Sequence, residues 1–356
     1  MNTTTLDYIL NETKTLLAID SPTGYTGKVT EYLMNAFTDL GYTPKRTVKG
    51  GVLVDLGDGE ALDSSNIEAD PASGAVLLEA HLDTLGAMVK EIKGNGRLRL
   101  SPLGGLNPNN VEAEDCRVIT RSGKVYDGTI QLSNASIHVN LDYNDTKRTF
   151  DTLEVVLDED VKSKDDTLAL GIGVGDIVCP CPRTKITESG YIKSRFLDDK
   201  LSTGILLGFA REVKNSGIVP KRHIYLHITI FEEVGHGGSA SVPADVTEII
   251  SVDMGCVGDG LECTERQVSI CAKDSRGPYH YDVVSALIEA AKASGVDYAV
   301  DIYPAYGSDA DTALISGHDI RHGLIGPGVY ASHGYERSHV DGVENTLKLL
   351  KEYLLK

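Results

Sequence analysis

Five short stretches carry side chains that could do chemistry together: His81-Leu82-Asp83, Asp198-Asp199, Glu232-Glu233, Asp253 and His333. Imidazole nitrogen and carboxylate oxygen are the donors preferred by borderline divalent cations such as zinc, cobalt and manganese. Five such ligands with one shared carboxylate fit two cations about 3.5–4 Å apart. A carboxylate left over can then take a proton from water as general base. Each stretch also has an ordinary reading. A Glu-Glu pair at a strand end is commonly just solvated, and two acids before a helix commonly cap its N-terminus.

The elements around these residues favour a joint role. Ile224 to Phe231 is an apolar run that ends abruptly in Glu232-Glu233 and then a glycine-rich turn. That pattern predicts a buried strand delivering charge at its C-terminal edge, with adjacent carboxylates pointing different ways on an extended chain. Ala75 to Ala80 predicts a second buried strand running into His81, and period-two alternation puts His81 and Asp83 on one face. A carboxylate beside an imidazole can orient it for a metal. Glu248 to Val252 predicts a third such strand, ending in Asp253. Asp198-Asp199 precede a helix whose stripe is Leu201, Ile205, Leu206, Phe209 and Ala210.

The remainder supplies a scaffold. Residues 4–19 and 26–40 predict amphipathic helices, the second stopped by Gly41, and Val52 to Leu56 a short strand. Residues 57–74 predict an acidic loop. From 87 to 190 short alternating segments are punctuated by Gly, Pro, Asn and Asp, and no helix is expected there. Residues 282–293 predict a helix, 268–272 and 298–302 strands, and Gly307-Ser308-Asp309-Ala310 the start of a short helix. A last strand is expected to stop at Ile325, before Gly326-Pro327-Gly328, and a helix from Val340 closes the chain. The expected class is α/β: a mixed, mostly parallel sheet flanked by helices over 1–86 and 191–356, with a small all-β, barrel-like domain inserted at 87–190.

Composition bounds the partners. The 356 residues carry 34 Lys+Arg against 52 Asp+Glu, a net charge of −18, and are 41% hydrophobic. Such a surface repels phosphate backbones, so nucleic acid is not an expected partner. No apolar run reaches the ~20 residues of a membrane span. The first residues lack the basic and apolar regions of a signal peptide, so a cytoplasmic protein is expected. The six cysteines show no disulfide framework or zinc-ribbon spacing.

The order His-x-Asp, Asp-Asp, Glu-Glu, Asp, His resembles the di-zinc aminopeptidases. A β insertion between the first two motifs is similar to that of the tetrahedral (TET-type) aminopeptidases, with their glutamyl, leucyl and lysyl members. Gly307-Ser308-Asp309-Ala310 resembles that family's Gly-Thr-Asp-Ala segment. The resemblance covers essentially the whole chain and implies a zinc-peptidase-like fold. It implies His81 and Asp253 at one metal, Glu233 and His333 at the other, and Asp198 between them. Asp83 would support His81, and Glu232 would be the general base on a water activated by two divalent ions, zinc first, with cobalt or manganese as alternatives. The substrates would be peptides, cleaved at their N-termini. The insertion would be a dimerisation domain, with dimers assembling into a hollow dodecamer. Lys200 departs from the family's usual Arg, and His339 competes with His333 for the last ligand position. Two other readings stay open: a related di-metal deacylase acting on small N-acyl substrates, and a non-catalytic assembly protein on the same scaffold.

Overall fold

The computed structural model describes residues 4–57 and 73–356. Most of the acidic loop expected at 57–74 therefore lies outside the described residues. The chain opens with two amphipathic helices. Helix α1 (Thr5–Ala18) buries Ile9, Thr13, Leu16 and Leu17, a one-face helical spacing, and the Thr4 side chain caps it by accepting from Asp7 N at 3.1 Å. Helix α2 (Gly27–Asp39) buries Val29, Leu33 and Phe37.

Strand β1 (Lys45–Arg46) pairs antiparallel with β2 (Val52–Asp55) at one edge of a 12-stranded sheet. Strand β3 (Ala75–His81) is buried at every position. The chain then leaves for a closed antiparallel barrel: β4 (Gly86–Ile92), β5 (Leu98–Leu103), β6 (Glu114–Ile119), β7 (Val125–Leu132), β8 (Leu153–Leu157) and β9 (Ile177–Pro180). Pairing of Ala87 with Val178 closes it, and Val89, Leu98, Leu100, Val118, Ile130 and Val155 fill it. One expectation fails here. A short helix, α3 (Lys164–Ala169), sits between β8 and β9, capped by Ser163. It buries only Thr167, so it leaves no apolar stripe to read.

After β10 (Lys185–Ile186) and β11 (Tyr191–Ser194), the chain enters α4 (Leu197–Ser216). Helix α1 packs closely on α4 because Gly204 and Gly208 leave room: a Cβ at Gly208 would stand 2.3 Å from Ile9 Cγ1. The sheet is completed by β12 (Ile224–Thr229), β13 (Val246–Val252), β14 (Gly255–Val257), β15 (Val268–Lys273), β16 (Tyr298–Ile302), β17 (Arg321–Tyr330) and β18 (Glu336–His339). Between these strands lie α5 (Tyr281–Ser294) and α6 (Asp309–Ile315), and α7 (Val340–Leu355) ends the chain.

The sheet order is β1-β2-β12-β3-β13-β17-β18-β11-β10, with β14, β15 and β16 branching from the β17 side. Its centre, β12-β3-β13-β17, is parallel. Helices α1, α2, α4, α5 and α7 share one core with Val76, Leu78 and Ala80 of β3. On the other face, Ala75 and Leu77 pack with Ala310 and Ala313 of α6. Each fully buried aliphatic side chain is worth roughly 1.5–3 kcal/mol.

Two expectations about strand ends change. Strand β17 does not stop at Ile325 but runs through Gly326-Pro327-Gly328 to Tyr330. Glycine is needed there because a Cβ at Gly326 would fall 1.5 Å from the Asp253 carbonyl oxygen. Strand β12 ends at Thr229, and Glu232-Glu233 lie on a 3₁₀ turn that follows Phe231, whose φ is +69°. The chain is already turning where extended backbone is expected. Among the described residues, no helix is long and apolar enough to cross a membrane. All six cysteines are unpaired.

Candidate metal centre and active site

Because β12, β3, β13 and β17 run parallel, their C-terminal ends share one edge, where open α/β sheets carry their ligands. His81 ends β3, Asp253 follows β13, Glu232 and Glu233 follow β12, and His333 follows β17. Asp198 and Asp199, joined by a cis peptide bond, enter from the start of α4. A cavity of about 580 Å³ opens over this edge, lined by Asp198, Glu232, Glu233, Asp253 and His333 among others. Arg276 and Tyr306 form part of its far wall.

His81 is fixed by its own strand end. Its Nδ1 lies 3.0 Å from the Asp83 carbonyl oxygen, which selects the tautomer with the proton on Nδ1 and turns Nε2 inward. Nε2 is 2.9 Å from Asp198 Oδ1 and 3.7 Å from Glu232 Oε2. On the other side of Asp198, Oδ2 lies 3.5 Å from His333 Nε2, and that nitrogen is 3.7 Å from Glu233 Oε2. The Asp198 carboxylate thus stands between the two imidazoles. The expected set of His81, Asp198, Glu232, Glu233 and His333 is brought together, with Asp253 beside it on the cavity wall. His339 is not: it is buried and caps α7, accepting from Asp341 N at Nδ1 at 3.0 Å.

Asp83 differs in detail from its expected use. Its carboxylate is 3.8 Å from His81 Nδ1, and the main-chain carbonyl makes the ring contact. The carboxylate instead accepts from the Thr23 hydroxyl at 2.7 Å and from Glu232 N at 3.2 Å. It therefore ties the Glu232 backbone to the His81 strand.

Three acids carry contacts that the sequence reading did not assign. Asp199 Oδ2 accepts from His81 N at 3.2 Å, and Asp199 groups with His81 and Asp253 as closely as Asp198 does with His81 and Glu233, within 4.8 Å. Glu336 accepts from Asp198 N at 3.1 Å and from His333 N at 3.0 Å, joining two candidate ligands through their backbones. Its spacing three residues after His333 is the only signal the sequence offers. Asp309 accepts from Gly238 N at 2.7 Å and from the Thr229 hydroxyl, which pins the turn behind Glu233. The Gly307-Ser308-Asp309-Ala310 segment pointed to that neighbourhood without giving the role.

The electrostatics ask for positive charge. Burial first, then repulsion from neighbouring acids, pushes Glu232 and Glu233 well above the usual carboxylate range and Asp253 to about 7. Burial pulls His81 down, but Glu232, Asp198 and Asp253 carry it well above the ordinary imidazole value. Among the described residues, no lysine or arginine forms an ion pair with Asp198, Asp199, Glu232, Glu233 or Asp253. Asp199 Oδ1 is buried with no hydrogen-bond partner. Unpaired buried carboxylates are expensive unless they coordinate a cation. The donor set, all carboxylate and imidazole, fits divalent ions.

A parallel sheet edge bearing this cluster, with a barrel inserted between β3 and α4, has close structural counterparts. The TET aminopeptidase of the marine sediment archaeon Thaumarchaeota archaeon SCGC AB-539-E09 matches with a TM-score of 0.85 at 18% identity, over 98% of this chain and 97% of that one. The TET1 peptidase of Pyrococcus horikoshii, which can assemble into a tetrahedron or a large octahedral shell, matches with a TM-score of 0.82 at 20% identity, over 97% and 98%. The class defined is the tetrahedral-aminopeptidase fold. In sequence, YhfE of Bacillus subtilis (strain 168), a protein provisionally named an aminopeptidase, is 44% identical over 341 residues, 96% of this chain and 95% of its own. The M42 glutamyl aminopeptidase family pattern matches residues 66–349. The chain belongs to the M42 glutamyl aminopeptidase family, and is a hydrolase of peptide bonds.

Proposed function

We propose that this chain removes N-terminal residues from peptides at the acid–histidine cluster, with two divalent cations held there. His81 and Asp253 would hold one, Glu233 and His333 the other, and Asp198 would reach both. The observation that carries this reading is the position of the Asp198 carboxylate, 2.9 Å from one imidazole and 3.5 Å from the other. When bound, the cations supply polarisation of the scissile carbonyl and acidification of water.

The protein groups do the rest. Glu232, with its backbone anchored on Asp83, takes a proton from the attacking water and returns it to the departing amine. The substrate's free α-amino group would contact a cation or a nearby acid, which would restrict cleavage to free N-termini. The inserted barrel serves as a contact between subunits, and the assembly of the Pyrococcus horikoshii relative supports a closed homo-oligomer.

A panel of aminoacyl-p-nitroanilides and N-blocked peptides tests the reading, run after chelation and again after zinc, cobalt or manganese is restored. Cation-dependent release from free N-termini alone is the expected result. Activity confined to N-acyl substrates would replace it with a deacylase.

A further inference from the structure

The segment after β5 leaves the barrel and reaches across to the sheet. Gly105, Asn107 and Asn110 form part of the cavity wall. The His333 ring is pressed against Gly105 so closely that a Cβ there would stand 2.7 Å from Nδ1 and 2.9 Å from Cε1. Asn110 Nδ2 donates to the His333 carbonyl at 3.1 Å. The Asn110 carbonyl in turn accepts from Arg195 Nη2. Arg195 is buried; it donates to the Gly334 carbonyl at 3.3 Å and pairs with Glu114, the first residue of β6, at 3.1 Å.

His333 needs this grip. Ala331 and His333 have φ of +60° and +59°, the left-handed region that non-glycine residues hold only when their surroundings over-determine it. Glu336 fixes the loop from the sheet side. The barrel fixes it from the other side. His81 is different, because its ring is oriented by the Asp83 carbonyl within its own strand end. The two imidazoles therefore depend on different parts of the molecule.

We propose that Gly105 and Asn110 of the inserted barrel are positioning residues for His333, so that the barrel completes the Glu233–His333 cation site and leaves the His81–Asp253 site independent. This inference rests on the two-cation reading above. Residues that orient a metal ligand typically govern 10–100-fold in affinity.

The test uses the full chain, stripped by chelation and titrated with Co²⁺, followed by visible absorption and calorimetry. Wild type should take up two ions. In Gly105→Ala, where the new methyl displaces the ring, one ion should bind as in wild type and the other at least about tenfold more weakly. Asn110→Asp keeps the shape, removes the donor, and should do the same; it carries the test if Gly105→Ala does not fold. Gly94→Ala, on the same barrel with no atom within 4 Å of the added carbon, should match wild type. Two unaltered sites in both variants would overturn the proposal, as would equal weakening of both sites, the mark of general loosening. A wild-type chain that takes up no divalent ion would remove the two-cation reading and this proposal with it. Two ions in wild type with unaltered variants would remove this proposal alone.

Discussion

Replacing Glu232 by Gln separates chemistry from architecture. The side chain keeps its length, and the backbone stays held because Asp83 Oδ1 bonds the amide of residue 232 rather than its side chain. What is lost is the proton acceptor. General-base catalysis is commonly worth 10²–10⁴-fold, and at about 1.36 kcal/mol per decade that is roughly 2.7–5.4 kcal/mol of transition-state stabilisation. The stability effect should run the other way. Glu232 is pushed well above the usual carboxylate range by burial and by Asp309, Asp253 and Asp198, with only His81, 3.7 Å away, in its favour. Removing one of several crowded acids relieves that repulsion in the cation-free protein. The cation-free Glu232→Gln chain should therefore melt no lower than wild type, while kcat/KM on the best aminoacyl-p-nitroanilide falls at least a hundredfold with both cations still bound. Activity within about tenfold of wild type at full cation occupancy would refute the assignment of the base. Loss of a cation would instead make Glu232 a ligand.

Other perturbations probe the frame and the ligand choice. Glu248 is buried between Arg222 at 3.0 Å, Arg321 at 2.5 Å and the Tyr353 hydroxyl at 2.8 Å. Glu248→Ala strands two guanidiniums and should cost about 3–5 kcal/mol in a denaturant melt, with the cation count of the folded fraction unchanged. In the barrel, burial raises the Glu154 carboxyl, but hydrogen bonds from Lys93 and Arg97 outweigh it and hold the group below its ordinary value. Its stabilising contribution is thus complete above the unfolded value, about 4.3, and is lost as pH falls through the depressed folded value. The gap in urea midpoint between wild type and Glu154→Gln should be widest near neutral pH and shrink below about pH 4; a constant gap would contradict this. His339→Ala should cost about 1 kcal/mol through the lost cap of α7 and leave cation uptake intact, whereas His333→Ala should lose one cation. The reverse pattern would exchange their roles.

Much of the site can be read from sequence because its donors come from the ends of strongly patterned elements. The run Ala75 to Ala80 reads as a buried strand, which puts His81 at its edge. The same logic placed Asp253 and brought Glu232-Glu233 to the correct edge. It failed where geometry is set by tertiary contact. The left-handed Phe231 turns β12 early, and no local pattern signals it. Strand β17 passes through Gly-Pro-Gly because a neighbouring carbonyl fills the space of a side chain, so residues that usually break a strand instead permit one. Asp199 looked like a capping acid; its burial beside His81 follows from the entry of α4 into the sheet. Glu336 and Asn110 act on His333 through backbone atoms, which leaves no side-chain motif to recognise.

In the proposed two-cation reading, the place of His333 in the chain also sets when the centre can form. Strand β18, which carries Glu336, pairs with β11, and α7 follows it immediately. The barrel, β3 and α4 all precede this segment and leave the ribosome earlier, and domains generally begin folding from the N-terminal side during synthesis. A nascent chain can thus display His81 and Asp198 in a near-finished scaffold while the last imidazole is still unmade. The final strand pairing is long-range and correspondingly slow. In the proposed two-cation reading, the cation site that needs His333 is therefore the last part of the centre to be assembled.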